Sequence, residues 1–183
     1  MLQTTLVRNN EELQQILQLQ QENLLATISA EEMQAQGFVT MHHDLAVLQK
    51  MNALAPSVII KDDDIVIAYA LTMLKECSGL MPALEPMFAL FETLNWQNKP
   101  LNEFSYYVMG QICVAKAYRG KNLVNELYQY HKKIYQQRFD LFLTEISTRN
   151  SRSLKAHEKA GFKTIHIHKD KLDEWAIVAW DWS

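Results

Sequence analysis

The chain has little cysteine, glycine or proline and no long apolar run. Two cysteines among 183 residues, Cys77 and Cys113, cannot build a multi-bridge secreted framework. They read as free thiols of a reducing compartment, so a cytoplasmic location is expected. Met1–Asn10 lacks the apolar core of a secretion signal. The longest apolar stretch, near Ile65–Leu74, is too short to cross a bilayer, and no membrane partner is expected. With five glycines and four prolines, no linker or low-complexity tract divides the chain. Neither the Walker pattern Gly-x-x-x-x-Gly-Lys-Ser/Thr nor a dinucleotide fingerprint is present. An excess of one charge is also missing. Lys+Arg number 18 against 21 Asp+Glu, a formal charge of -3, which is not the balance of a nucleic-acid binder. Hydrophobic residues make up 48%, which excludes disorder and supports one medium-sized domain over residues 1–183.

What is present alternates between strand and helix patterns. Leu2–Val7 reads as a strand, followed by a helix cap at Asn9-Asn10. Glu11–Ala30 carries Leu13, Ile16, Leu17, Leu24 and Leu25 on one helical face. Ser29-Ala30-Glu31-Glu32 looks like another helix entry, interrupted at Gly37, and His42–Leu54 like a further helix. Ser57–Lys61 and Ile65–Leu74 form a hairpin around Asp62-Asp63-Asp64. Met81–Leu94 predicts a short helix inside a loop-rich excursion. Phe104–Val114 predicts a long strand, Lys121–Gln137 a helix, Asp140–Ser147 a strand and Asn150–Ala160 a helix closed by Gly161. Phe162–His168 and Glu174–Trp182 close the chain as strands. The order is β-α-α-β-β-β-α-β-α-β-β, an α/β domain with a mixed sheet of about seven strands.

Two segments carry chemistry. At Val114-Ala-Lys-Ala-Tyr-Arg-Gly-Lys-Asn-Leu-Val124 a strand ends in a short basic turn and a helix begins at once. Free N–H groups at such a helix start, with Arg119 and Lys121 beside them, make an anion site; an ordinary strand-to-helix turn explains the same residues. The second segment is Asn150-Ser-Arg-Ser-Leu-Lys-Ala-His-Glu-Lys-Ala-Gly-Phe162.

Together, in this order and with one strand between them, the two segments resemble the motifs of the GNAT superfamily, the Gcn5-related N-acetyltransferases. The first matches Val-x-x-x-x-Arg-Gly-x-Gly-x-Gly/Ala, with Asn122 and Val124 replacing the later small residues. The second matches Asn-x-x-Ala-x-x-x-Tyr-x-x-x-Gly-Phe, with Ser153 for alanine and His157 for tyrosine. The element order resembles the whole fold, a mostly antiparallel twisted sheet flanked by helices.

The resemblance implies acetyl transfer from acetyl-CoA to a primary amine. It places the diphosphate on Arg119, Gly120, Lys121, Asn122, Leu123 and Val124. Pantetheine would lie along Gln111, Ile112, Cys113 and Val114, with Asn150 and Ser153 on its thiol-bearing arm. His157 stands where the family's tyrosine protonates the leaving thiolate. As imidazolium it would do the same, or it simply packs beside the cofactor. Glu145 stands where ribosomal-protein N-terminal acetyltransferases carry a basic glutamate, and its separation from His157 matches theirs; a solvent-facing or salt-bridged Glu is the other reading. By strand alternation Glu145 shares a face with Leu141 and Leu143, opposite Phe142 and Thr144. Glu103 is a weaker base candidate. Cys113 reads as packing more readily than as an acyl carrier. His42-His43 and His166/His168 lack the partners of a metal site, so no metal is expected. A lid or dimer contact is one reading of Leu80–Trp96, a cover for core strands the other, and a homodimer fits the apolar loop and edge surfaces. A CoA-binding or interaction module with little catalysis, and an α/β enzyme for another phosphate ligand, complete the readings.

Overall fold

The computed structural model describes residues 1–24, 26–27, 29 and 38–183. Seven strands form the central sheet: β1 (Leu2–Leu6), β2 (Val58–Asp62), β3 (Ile65–Met73), β6 (Tyr106–Val114), β7 (Leu141–Ser147), β8 (Lys163–Lys169) and β9 (Glu174–Asp181). Two-residue strands β4 (Asn95–Trp96) and β5 (Lys99–Pro100) make a separate small hairpin. Among the described residues the α-helices are α1 (Asn10–Glu22), α2 (Leu45–Leu54), α3 (Glu85–Phe91), α4 (Leu123–Tyr135) and α5 (Ser151–Ala160). The sheet order is β1-β2-β3-β6-β7-β9-β8. Every neighbouring pair in it is antiparallel except β6 and β7. That is the mixed sheet, and the main element order, expected from the pattern.

Local chemistry sets the boundaries. Asn9 caps α1 by accepting from the Glu12 N–H at 2.9 Å. The helix expected to run to Ala30 stops at Glu22. Asn23 tightens the last turn through its N–H on Gln20 O at 3.0 Å and its side chain on Leu19 O at 2.7 Å. Of the helix entry expected at Ser29-Ala30-Glu31-Glu32, all but Ser29 lies outside the described residues, as does the break at Gly37. The stretch expected from His42 begins at Leu45, because Asp44 caps it by accepting from Val47 N–H at 2.8 Å. His42 and His43 therefore precede the helix. The β2–β3 hairpin turns at Asp63, whose φ of 51° is the left-handed conformation that Asp tolerates. Gly161 ends α5 at φ 113°, and a Cβ there would stand 2.7 Å from the Trp180 indole nitrogen. Glycine is required at that position for both conformation and space.

The core gathers on both faces of the sheet. All of β3 except Ile65 is buried, as its continuous apolar run foretold. On one face α4 and α5 cover an aromatic cluster. Phe142 stacks on Tyr107 with centroids 4.5 Å apart and also meets His131, Tyr128, Phe162 and Trp182. The excursion between β3 and β6 buries Met87, Phe88 and Phe91. Phe91 packs edge-on against Tyr106 at the start of β6, and Trp96 donates to Asp181 at 2.9 Å. It thus covers core at the closed end of the sheet.

Candidate active site

The parallel pair β6–β7 is hydrogen-bonded only over its first three residues. Tyr106, Tyr107 and Val108 face Leu141, Phe142 and Leu143. Beyond them β6 continues to Val114 and β7 to Ser147 without pairing. Thr144 Oγ1 donates to Met109 O at 3.0 Å at the fork. The cause is visible on the other side of β6. Its register with β3 shifts between Ala70 and Thr72, where Gly110 and Gln111 oppose Leu71. An extra residue bends a strand and disrupts its ladder.

Gln111, in this bulge, is held on all sides. Its Oε1 accepts from Gln20 Nε2 at 2.6 Å and from the Tyr69 hydroxyl at 2.5 Å, and its Nε2 donates to Met41 O at 2.8 Å. His43 joins by donating its N–H to Gln20 Oε1 at 2.7 Å and accepting from Gln20 Nε2 at 2.9 Å. Burial lowers the His43 pKa to about 4, so the network is neutral. Apart from His43 Nε2, which has no hydrogen-bond partner among the described residues, the buried polar groups of this network are satisfied, and such a network fixes one arrangement of a bend.

A cavity of about 410 Å³ lies beside the splayed edge of β6. Its wall includes Ile112, Cys113, Val114, Arg119, Gly120, Asn122, Leu123, Val124, Asn150, Ser153 and His157. Of the expected cofactor positions Gln111, in the bulge, is not in the wall, nor is Lys121. Its ammonium instead lies 4.7 Å over the ring of Tyr118, which is. Asn23, Phe38, Val39, Tyr118, Arg152, Ala156 and Lys159 complete it. Tyr118, Arg152, Ala156 and Lys159 fall inside the two motif segments, where lining positions could have been sought. Asn23, Phe38 and Val39 carry no local signal; they arrive through tertiary contacts.

The turn into α4 has the form an anion cradle needs. Gly120 has φ 79° and Asn122 φ 62° with ψ 19°, so asparagine adopts the left-handed conformation the motif assigns to glycine. Asn122 caps α4 without a side-chain hydrogen bond, leaving the first-turn N–H groups without a capping side chain. Arg119 spans the site: Nε donates to Val114 O at 3.2 Å, and Nη2 bonds the Asn23 side chain. Asn150 caps α5 by accepting from Ser153 N–H at 3.2 Å, while its amide donates to Phe38 O at 3.2 Å.

Glu103, the weaker base candidate, is exposed in the turn before β6 and outside the cavity wall. The Cys113 thiol is buried, and burial pushes its pKa up to about 12, which keeps it protonated and inert. His157 is 1% exposed. Its Nδ1 lies 2.7 Å from Ser153 O and its Nε2 2.5 Å from the Tyr128 hydroxyl. A carbonyl can only accept, so Nδ1–H donates to Ser153 and Nε2 accepts from Tyr128. Burial lowers the pKa to about 4. The resting ring is therefore neutral, not the imidazolium that the acid role requires. Tyr128, one helix away, is the partner that sequence reading missed. Glu145 lies outside the cavity wall. Phe142 packs against Tyr128 on α4 and Phe162 just beyond α5, so alternation turns Glu145 to the other face of the sheet. There it pairs with His168 on β8. Burial raises its pKa, and His168 pulls it back.

The family profile of the acetyltransferase (GNAT) family matches residues 14–162. The chain belongs to the acetyltransferase (GNAT) family. The fold of this GNAT acetyltransferase is shared by solved structures of low identity. The ribosomal-protein-S18-alanine N-acetyltransferase of Escherichia coli superposes with a TM-score of 0.67 at 11% identity, covering 100% of this chain and 95% of that one. The NatC complex bound to Gag peptide and CoA gives 0.66 at 14%, covering 98% of each. The structure of yncA from Salmonella typhimurium with its cofactor acetyl-CoA gives 0.64 at 12%, covering 100% and 94%. No curated protein matches the GNAT chain by sequence. Among its described residues no helix is long and apolar enough to cross a membrane.

Proposed function

We propose that this acetyltransferase transfers the acetyl group of acetyl-CoA directly to a primary amine of a small molecule, peptide or protein. One observation carries the reading: β6 leaves β7 after Val108, and the cavity beside its free edge runs to the Gly120–Val124 turn. An unpaired strand edge offers N–H and C=O groups to an amide-bearing arm, as another strand would. An uncapped helix start with arginine beside it suits a diphosphate. The residues present fit both parts of acetyl-CoA, and the two halves of the reading converge in one cavity. A cytoplasmic setting accords with the two free cysteines.

Acetyl-CoA, when bound, supplies the acetyl thioester as electrophile. The N–H groups of the Ile112–Val114 edge polarise its carbonyl where negative charge develops. Arg119 and the first turn of α4 hold the diphosphate, with Lys121 contributing charge from outside the wall. Asn150 and Ser153 contact the arm. Glu145 takes the proton of the attacking amine, directly or through water. His157 is the acid for the departing sulfur, with a proton that the neutral ring takes up from solvent through the cavity as the thiolate forms. A thiolate forming beside it favours the imidazolium that burial disfavours in the resting site. Holding both substrates together lowers the barrier by proximity.

His157 also favours a second reading. Both ring nitrogens are engaged, to Ser153 and Tyr128, and a neutral imidazole is a poor acid. A GNAT module that binds CoA with little turnover has the same geometry. Calorimetric titration with acetyl-CoA, desulfo-CoA and ATP, followed by a thiol-release assay on an amine panel, separates the readings. Micromolar binding of both CoA compounds, lost in Arg119→Glu, is expected. Turnover abolished by Glu145→Gln supports the transferase. Binding without turnover on any amine supports the module, and absence of CoA binding removes both.

A further inference from the structure

We propose that His168 is a positioning residue for Glu145: it holds the half-buried carboxylate ionised through one oxygen and leaves the other to receive the amine proton. The proposal rests on the reading of Glu145 as base. The geometry behind it is independent of the cavity. Glu145 and His168 come from β7 and β8, which are not neighbours; β9 lies between them. The side chains meet across it, His168 Nε2 to Glu145 Oε1, with exposures of 24% and 17%. Among the described residues Glu145 Oε2 has no hydrogen-bond partner, and it is not sealed from solvent.

The surroundings leave this task to His168. On β9 the residue opposite Glu145 is Ile177, which is fully buried and uncharged. The β6 stretch from Met109 to Val114 has one titratable group, the Cys113 thiol, which stays protonated. Asp170, beyond β8, repels charge on Glu145. His166, also on β8, stacks on His168 with ring centroids 6.1 Å apart. Among the described residues, His168 is the group that draws Glu145 towards ionisation, by hydrogen bond and by charge, against burial and Asp170. A carboxylate with one oxygen bonded to an imidazole and the other open has a fixed orientation and a vacant acceptor. A base buried beside a splayed strand pair needs both features.

The test reads Glu145 directly and needs no known acceptor. The probe is the full chain labelled with 13C at the glutamate carboxyl, titrated by NMR, with the Glu145 signal assigned by its loss in Glu145→Gln. In His168→Gln the Glu145 midpoint moves up by about one pH unit or more, because an opposite charge is gone. In His168→Lys, which restores a cation, it returns towards the parent value. An unchanged or lowered midpoint in a folded His168→Gln overturns the proposal. So does a shift that His168→Lys fails to reverse. The underlying reading is tested separately, by turnover of the Glu145→Gln protein on the amine panel. Full turnover there removes Glu145 as base even if the midpoint shifts. Lost turnover with an unmoved midpoint leaves the base standing and removes His168.

Discussion

The two ends of the β6–β7 pair are built on opposite principles. At the start of the pair, Tyr107 and Phe142 stack between ladder hydrogen bonds, and His131, Tyr135, Phe139 and Trp182 close around Tyr107. At the far end the ladder is gone, and the space holds a cavity with asparagine, serine and arginine in its wall. The first end stabilises by excluding water from aromatic surface. The second gives up strand pairing, which leaves polar backbone for a ligand to satisfy. The bulge at Gly110–Gln111 is the hinge between them, and a buried network of Gln20, His43 and Tyr69 holds it. A site of this kind is a place where the fold stops short of completing its own sheet.

The comparison breaks most visibly at the closed end. Phe142→Ala removes a fully buried ring of β7 that touches Tyr107 on β6, Tyr128 and His131 on α4, and Phe162 just beyond α5. It is expected to cost about 3–5 kcal/mol, read as a lowered urea midpoint. A loss below about 1 kcal/mol would mean that the cluster does not hold the pair together.

Acid sharpens the comparison, because each end holds a buried neutral histidine. Burial lowers His131 to about 3 at the closed end and His157 to about 4 at the open one. The unfolded chain takes up these protons near pH 6.5, before the folded chain does. Stability is therefore complete above about 6.5 and falls as pH drops towards 4, by about 3 kcal/mol for one such residue. Urea unfolding at pH 7, 6, 5 and 4 measures it. Constant stability across that range would mean that both rings are protonated without penalty.

The smallest effect is at the open end. Asn122→Ala places a residue less tolerant of φ 62° at the head of α4. The expected cost is about 1 kcal/mol of stability. If the turn is the diphosphate cradle, acetyl-CoA affinity in calorimetry also falls, whereas Asn122→Gly preserves it. Equal binding by all three proteins would detach the turn from the ligand.

Much of the frame was legible because its causes are local. Alternation placed Glu145 opposite Phe142, and Asn150 and Gly161 marked the ends of α5. The motif segments also named most of the cavity wall, since a turn and the helix that follows it carry their residues in sequence. The α1 end was misread because its apolar spacing continues past Asn23, where competing hydrogen bonds end the helix.

The sequence by itself determined the order of strands and helices, the turn at Gly120 and Asn122, and the family to which the chain belongs, since each depends on spacing within a short stretch. Only the tertiary structure decided the ionisation of His157 and the partner of Glu145. Tyr128 lies 29 residues from His157, and His168 lies 23 residues from Glu145. Protonation depends on burial and on which charges lie within a few ångströms, and neither exists until distant segments pack.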